Sequence, residues 1–367
     1  MKKWFARNPD KDPEAIRDAF MDRKGGLHLF FRRMNVKMQA RFADLIDHDI
    51  LPIAFIHGNP HLENYAITEN GAAMVDFDRS RHGPYAYDIC RFLASVMVWN
   101  RKPNLSAKLV DSFYHGYLDG LRKAVDSGEQ DIDLRDCILE DWRKRLDKQK
   151  CRNKWAGRLE KFRTDPKDPM LQALLASYCE NRCEPQLLTD YELSETACVP
   201  GTFGKHHYLF HLIPTRNSSD EPILIDIKEV YDEPDNRWYS NPFNHNGQRM
   251  AVAGELYAPG WELRPGWASY NGEQYWGRQI SPGKAKLKKR LVKPEQKQAC
   301  YTIGLQLGRA HGLSVANLNA DALFEHFKEN FSGFFKVSRI MAQELMDSYE
   351  HYNRRLSKRH YQLSKAG

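Results

Sequence analysis

The apolar residues of this chain change their period twice, and that double change most limits the fold it can adopt. Over the first fifty residues they recur at helical spacing: Leu27, Phe30, Phe31, Met34 and Met38, then Phe42, Leu45 and Ile46. A short apolar strand, Leu51 to Ile56, a polar loop and a second strand, Ala72 to Phe77, follow, with Asn70-Gly71 as the turn signal between them. From Tyr87 to about Phe162 the helical spacing returns, broken at Lys102-Pro103-Asn104 and at Asp126-Ser127-Gly128. β-branched and aromatic runs then take over at Tyr208 to Ile213, Ile223 to Val230 and Gln274 to Ile280, with Pro214 to Asp220 as a hairpin loop. From Glu295 to about Arg359 the pattern is helical again, with Tyr301, Leu305, Leu307 and His311 leading to Gly312 as a stop. The layout predicts an α+β protein in which a β-rich lobe is inserted between two halves of a helical lobe. No repeat period is visible, which argues against solenoids and propellers.

Composition excludes several classes. With 41% hydrophobic and 28% charged residues in 367, the chain can build a sizeable core and is not disordered. No apolar run approaches the roughly 20 residues that cross a bilayer. The N-terminus turns charged before an apolar stretch develops, so it does not read as a signal peptide. Seven scattered cysteines, an odd number, make no disulfide framework. A soluble protein of a reducing compartment, the cytoplasm, is the expectation. A formal charge of +7 favours acidic partners without choosing among phosphates, nucleic acid and membrane surfaces.

The densest polar cluster is His57-Gly58-Asn59-Pro60-His61-Leu62-Glu63-Asn64, followed by Met74-Val75-Asp76-Phe77-Asp78. An amide, Asn64, and a carboxylate, Asp76, at adjacent strand ends are hard oxygen ligands of the kind that suits Mg²⁺ shared with substrate phosphates. Asp88 opens the next helix, with Arg91 one turn later, and is placed to hydrogen-bond the backbone of the preceding loop. Singly, each is an ordinary loop residue or helix-start charge; as a set at this spacing they point to phosphoryl transfer.

His57 to Asn64 resembles the catalytic loop of aminoglycoside and choline phosphotransferases, and Asp76-Phe77-Asp78 resembles their metal-binding Asp-Phe motif. Gly83-Pro84-Tyr85-Ala86-Tyr87-Asp88-Ile89-Cys90-Arg91-Phe92-Leu93-Ala94-Ser95 resembles the segment that follows in a bacterial kinase-like group, domain-of-unknown-function family 2252. The resemblance extends through Leu29 to Leu45 and most of the C-terminal half. It implies a bilobal protein-kinase-like fold that binds ATP and Mg²⁺, with Asn64 and Asp76 on the metal. His57, Asn59, Asp78 and Asp88 would carry the catalytic loop.

In an ordinary protein kinase the glycine loop and the lysine precede the catalytic loop; here their counterparts follow it. Val199-Pro200-Gly201-Thr202-Phe203-Gly204 matches the glycine pattern except at Val199, and Gly201, Thr202 and Gly204 would lie over the phosphates. Lys228, in Leu224-Ile225-Asp226-Ile227-Lys228-Glu229, would contact them and pair with Glu255 of a helix from about Gly247 to Leu256. Tyr275 to Ile280, which includes Arg278, resembles the strand leading to the hinge where adenine lies. Ile303 to His311 resembles the helix that precedes the catalytic loop in an ordinary kinase. The order implies a circular permutation. Residues 1–185 and 291–367 would form the C-lobe and residues 186–290 the N-lobe.

Asn59 stands where the family carries its catalytic Asp. An amide cannot accept the acceptor hydroxyl's proton, a service typically worth about 10²–10⁴-fold. Phosphoryl transfer rests mainly on positioning and metal charge. Three readings therefore stay open: a weakened kinase with Asp78, His61 or Glu63 as base, a nucleotide-binding pseudokinase, or an inactivated variant. The expected activity is transfer of the ATP γ-phosphate to a hydroxyl of an unidentified small molecule, with adenylyl transfer by a flipped nucleotide as an alternative. A further alternative is a nucleic-acid-binding protein. Basic residues from Arg143 to Arg163 interleave with Trp142, Trp155 and Phe162, and Lys284 to Arg290 form a second basic run. The same composition describes a solvated helix, which is the preferred reading. Cys179 with Cys183, and His206, His207 with His211, complete no transition-metal set, and no Gly-x-Ser-x-Gly elbow is present.

Overall fold

The structure is a computed structural model that describes residues 4–127, 146–201, 205–215, 220–232, 234–286, 293–316 and 318–366. Its helices are α1 (Glu14–Met21), α2 (Gly26–Arg33), α3 (Asn35–Leu45), α4 (Tyr85–Asn100), α5 (Ala107–Ser127) and α6 (Lys148–Lys161), followed by α7 (Pro169–Asn181), α8 (Leu187–Asp190), α9 (Asn246–Tyr257), α10 (Lys293–Ser314) and α11 (Ala320–Ala366). Its strands are β1 (Ile53–Ile56), β2 (Tyr65–Thr68), β3 (Gly71–Met74), β4 (Arg81–Pro84), β5 (Arg163–Thr164) and β6 (Tyr191–Pro200), then β7 (His206–Pro214), β8 (Ile223–Glu229), β9 (Leu263–Tyr270), β10 (Glu273–Gln279) and β11 (Ala285–Lys286). The protein is a mixed α+β chain that divides into two compact units, residues 1–62, 83–125 and 299–367, and residues 63–82 and 126–298. No described helix is long and apolar enough to cross a membrane.

The first unit is built around α4. Every residue from Tyr85 to Val98 is buried, as expected of a helix apolar on all sides and surrounded by others. Beside it, α5 and α10 meet along a seam of glycines. Any Cβ on Gly120 would strike the Leu305 carbonyl, and one on Gly308 would strike that of Tyr117. Gly116 and Gly304 face the partner backbone in the same way. Glycine at four-residue spacing on both helices lets the backbones approach where a side chain would hold them apart. Gly312 belongs to this seam and is not the predicted stop. α10 continues to Ser314, and a Cβ on Gly312 would lie 2.7 Å from that of Ala124.

In the second unit a six-stranded antiparallel sheet runs in the order β5-β6-β7-β8-β10-β9. Alternation assigns its two faces. Ile223, Ile225 and Ile227 join Tyr208, Phe210 and Leu212 against Leu171, Leu174, Leu175 and Tyr178. On the other face Ala197, Val199 and Leu209 pack under Leu159 of α6, with Trp155, Phe162 and Leu224 beside them. The three predicted strands are all present. β6 and β9 were not expected. β6 carries a register shift between Leu193 and Glu195, which breaks its alternation. β9 contains Pro265 and Gly266, and an edge strand tolerates them because one row of its N–H groups has no partner.

A three-stranded sheet, β11-β2-β3, completes this unit. Here two expectations change. Asn70-Gly71 turns between β2 and β3, not between β1 and β3, with Gly71 at φ 121°. The predicted strand through Phe77 ends at Met74, because Asp76 is left-handed (φ 78°, ψ 66°) and Phe77–Arg79 coil into a 3₁₀ turn.

The glycine seam predicts opposite signs for two alanine substitutions. Gly308→Ala should destabilise by about 1–3 kcal/mol through overpacking. Gly157→Ala in α6, where a new Cβ meets nothing within 4 Å, should stabilise by up to about 1 kcal/mol. Urea unfolding of both variants measures this; equal effects would contradict the seam.

Candidate functional site

The site residues fall into two groups, one in each unit. In the first unit, β1 delivers the chain into His57-Gly58-Asn59, and Asp88 holds that turn from below. Its carboxylate accepts the His57 N–H at 2.7 Å and the Gly58 N–H at 2.9 Å. Gly58 has φ 75°, the left-handed region that glycine enters without strain. His311 Nε2 lies 3.3 Å from the same carboxylate, and its Nδ1 is 2.8 Å from the Tyr117 hydroxyl. Asp88 and His311 are completely buried. The loop brace expected of Asp88 is present, and the α5–α10 seam positions its support.

Asn59 sits on this braced turn. Its Oδ1 accepts from Arg91 Nη2 at 2.8 Å and Nε at 3.3 Å. Arg91 is buried, lies 3.8 Å over the Phe31 ring and also donates to the Phe31 carbonyl. The functional end of Asn59 is therefore turned toward a guanidinium. His57 is also buried, its Nδ1 3.4 Å from the Asn59 N–H. His61 is buried too and stands edge-on to His28 at 5.3 Å. Burial, then His28, Arg32 and Arg91, holds the His61 imidazole well below the ordinary histidine range. Burial with Arg32 and Arg91 pushes His28 down to about 3. A ring packed this deeply does not serve as a general base, so His61 is withdrawn from that role.

In the second unit the β2–β3 hairpin brings Asn64 and Asp76 to one end. The Val75 N–H donates to the Asn64 carbonyl at 2.8 Å, which puts the two residues at adjoining strand ends as expected. Asp78, in the 3₁₀ turn, receives Lys228 Nζ at 3.1 Å. Burial opposes both charges. Lys228 outweighs it at Asp78 and holds that carboxyl below its usual range; Asp78 and Asp76 outweigh it at Lys228 and raise the ammonium. The Lys228 ammonium also lies 5.1 Å over the Trp276 ring.

Lys228 thus pairs with Asp78, and the expected partner, Glu255, is corrected. α9 buries Arg249, Met250, Ala253 and Tyr257, which leaves Glu255 exposed on the opposite face. Arg278 is on the Lys228 face of the sheet, opposite Asp226 in register, and bonds Glu262 at 2.7 Å. Gly201 tightens the β6–β7 hairpin, and its N–H is spent on the Lys205 carbonyl at 2.7 Å, so it does not point to a ligand. Thr202 and Gly204 lie outside the described residues, as do Arg143 to Arg145 and Leu287 to Arg290 of the basic runs.

Three participants were missed. Arg249 of α9 donates to the carbonyls of Asp78 and Ser80 and clamps the turn. Asp226 holds His207 at 3.0 Å, and Glu262 holds Arg278. The available signal was a charge inside an apolar run, as in Arg249-Met250-Ala251-Val252-Ala253. Among the described residues no three His, Cys, Asp or Glu side chains cluster as a metal-binding set. A Mg²⁺ that keeps its waters and takes substrate phosphates needs only one or two protein carboxylates, so the donors at this hairpin end fit it.

The chain belongs to the family described as uncharacterized protein conserved in bacteria, domain-of-unknown-function family 2252, whose model matches residues 16–192 and 170–366. No curated protein and no solved structure matches it.

Two outcomes follow from the first group. Asp88→Asn should cost about 2 kcal/mol or more in urea unfolding, because the amide nitrogen turns a donor toward a backbone donor. The folded pKa of His28 is about 3 against an ordinary 6.5, so the unfolded chain binds its proton first. The stability held by neutral His28 is full above about pH 6.5 and declines as pH falls toward 3, by roughly 2 kcal/mol at pH 5. His28→Phe should show a shallower decline over pH 7–5; an unchanged slope would contradict the assignment.

Proposed function

We propose that the protein is a kinase-like phosphotransferase, circularly permuted, that moves the γ-phosphoryl group of ATP to a hydroxyl of a small molecule. The observation that carries this reading is the Lys228–Asp78 pair beside Asp76. A strand lysine faces carboxylates that follow a hairpin, and a helix comes next in the chain after that strand. Kinases use such a strand lysine for phosphates and such a carboxylate for Mg²⁺. In this reading Asn64 and Asp76 hold the metal, which neutralises charge developing on the transferred group. Lys228 exchanges part of its pairing with Asp78 for phosphate oxygens, and Arg278 adds a second cation on the same sheet face. Asp88 keeps the backbone of the acceptor loop in shape. The permutation would join residues 1–62 and 299–367, which lie in one compact unit.

The hydrogen bonds from Arg91 to Asn59 favour a second reading, a nucleotide-binding protein without turnover. An amide engaged by a guanidinium takes no proton from an acceptor. Catalysis then comes from positioning and metal charge alone, or is absent.

Thermal unfolding with Mg-ATP tests the nucleotide. At 100 times its Kd a ligand adds about 2.7 kcal/mol, and the upward shift should require Mg²⁺ and vanish in Lys228→Ala and Asp76→Ala. A parent protein that does not shift overturns the proposal. Asn59→Asp then separates the two readings. A rise in ATP turnover identifies a weakened enzyme, whereas unchanged turnover with nucleotide still bound identifies the silent form.

A further inference from the structure

The register of the large sheet orders the face that carries Lys228 into three rows. Val199, His207, Lys228 and Trp276 lie side by side in the first, and Ala197, Leu209, Asp226 and Arg278 in the second. Glu195, His211 and Leu224 make the third, where the Ile280 N–H reaches the Leu224 carbonyl at 2.7 Å. Leu224 is four residues from Lys228 on one strand, so the third row is about 13 Å from the first. The middle row is covered in part by Leu159 of α6.

At the third row lies a cavity of 790 Å³, between α6 and the ends of β8 and β10. That volume falls in the range of small-molecule pockets, roughly 300–1,000 Å³. Trp155 and Leu159 of α6 and Leu224 and Ile280 of the sheet side line it, together with the charged or polar Arg152, Glu160, Glu195 and His211. The Trp155 indole offers a planar heteroaromatic ring a flat apolar face, and Glu195, His211 and Gln279, which also line the cavity, offer its edge hydrogen-bonding groups. The cations of the first two rows suit an anionic chain extending from that ring along the sheet.

We infer that α6 closes the base end of a purine-nucleotide site, and that Trp155 is the specificity-determining ring on which the base stacks. This rests on the nucleotide reading proposed above and adds to it a residue outside every motif that suggested it. Trp155 is half-buried, with Arg158 4.8 Å and Lys154 Nζ 5.3 Å from its ring centroid, so the indole is held in place and a stacking base would displace the exposed Lys154 head. The basic and aromatic residues of α6 then have a use apart from nucleic acid. The helix serves the cavity through Trp155, while Lys148 pairs with Glu69 and Lys161 lies 5.2 Å over the Phe162 ring.

Calorimetric titration with Mg-ATP and with base-free Mg-tripolyphosphate tests the assignment. Trp155→Ala should weaken Mg-ATP by on the order of ten- to a hundredfold and leave tripolyphosphate unchanged. Trp155→Phe should restore most of the loss. Ala156→Phe, at an exposed position that lines the cavity, should also weaken Mg-ATP alone, and it tests the site without removing the indole. Lys228→Ala should weaken both ligands. If the parent binds Mg-ATP and neither α6 variant changes its affinity, the assignment of Trp155 falls while the nucleotide reading stands. If the parent binds neither ligand, both fall.

Discussion

The buried carboxylate of Asp88 is the interaction on which the first unit's His57-Gly58-Asn59 loop depends. An ionised group out of water is costly unless its lone pairs are filled. Here two consecutive backbone N–H groups and an imidazole fill them. The same bonds prevent the His57-Gly58 backbone from relaxing, and so they define where Asn59 begins. The other nitrogen of His311 is held by Tyr117 of α5, and α10 lies close against α5 because glycines leave no side chain to separate the helices. A packing feature far along the chain therefore supports a loop near its start.

The second unit solves a related problem on a sheet face. Asp226, Lys228 and Arg278 project from strands whose opposite face is the core, and each has a polar partner: His207, Asp78 and Glu262. Replacing such pairs by apolar residues often costs no stability. Their concentration on one face beside Asp76 is a physical argument for a site, since perturbed charges gather where ligands bind. Arg249 does for the Asp78 turn what Asp88 does for the His57 turn: a buried charge organises backbone carbonyls in one and N–H groups in the other.

Much of the site was legible because its parts are local. The Asn64 and Asp76 pairing follows from a hairpin, and the Asp88 brace from a loop that runs into a helix, so short stretches of chain suffice to read them. The errors arose where a partner comes from elsewhere. Lys228 has two chemically sound carboxylate partners, and choosing between Asp78 and Glu255 requires knowing which face of α9 is buried. Gly201 has the residue type for a phosphate loop, yet its N–H closes the hairpin. Gly312 looks like a helix stop because glycine at a helix end and glycine at a helix contact are the same letter.

The amino-acid sequence by itself determined the alternation of helical and strand segments, the hairpin with its oxygen donors and the loop that Asp88 braces. Each depends on periodicity or on neighbours a few residues apart. Only the tertiary structure decided that Asp78 takes Lys228, that Arg91 engages Asn59, and that α6 lays Trp155 along the same sheet face as the lysine. Those choices pair residues between 32 and 150 positions apart, and the packing of whole elements selects among partners that are chemically equivalent.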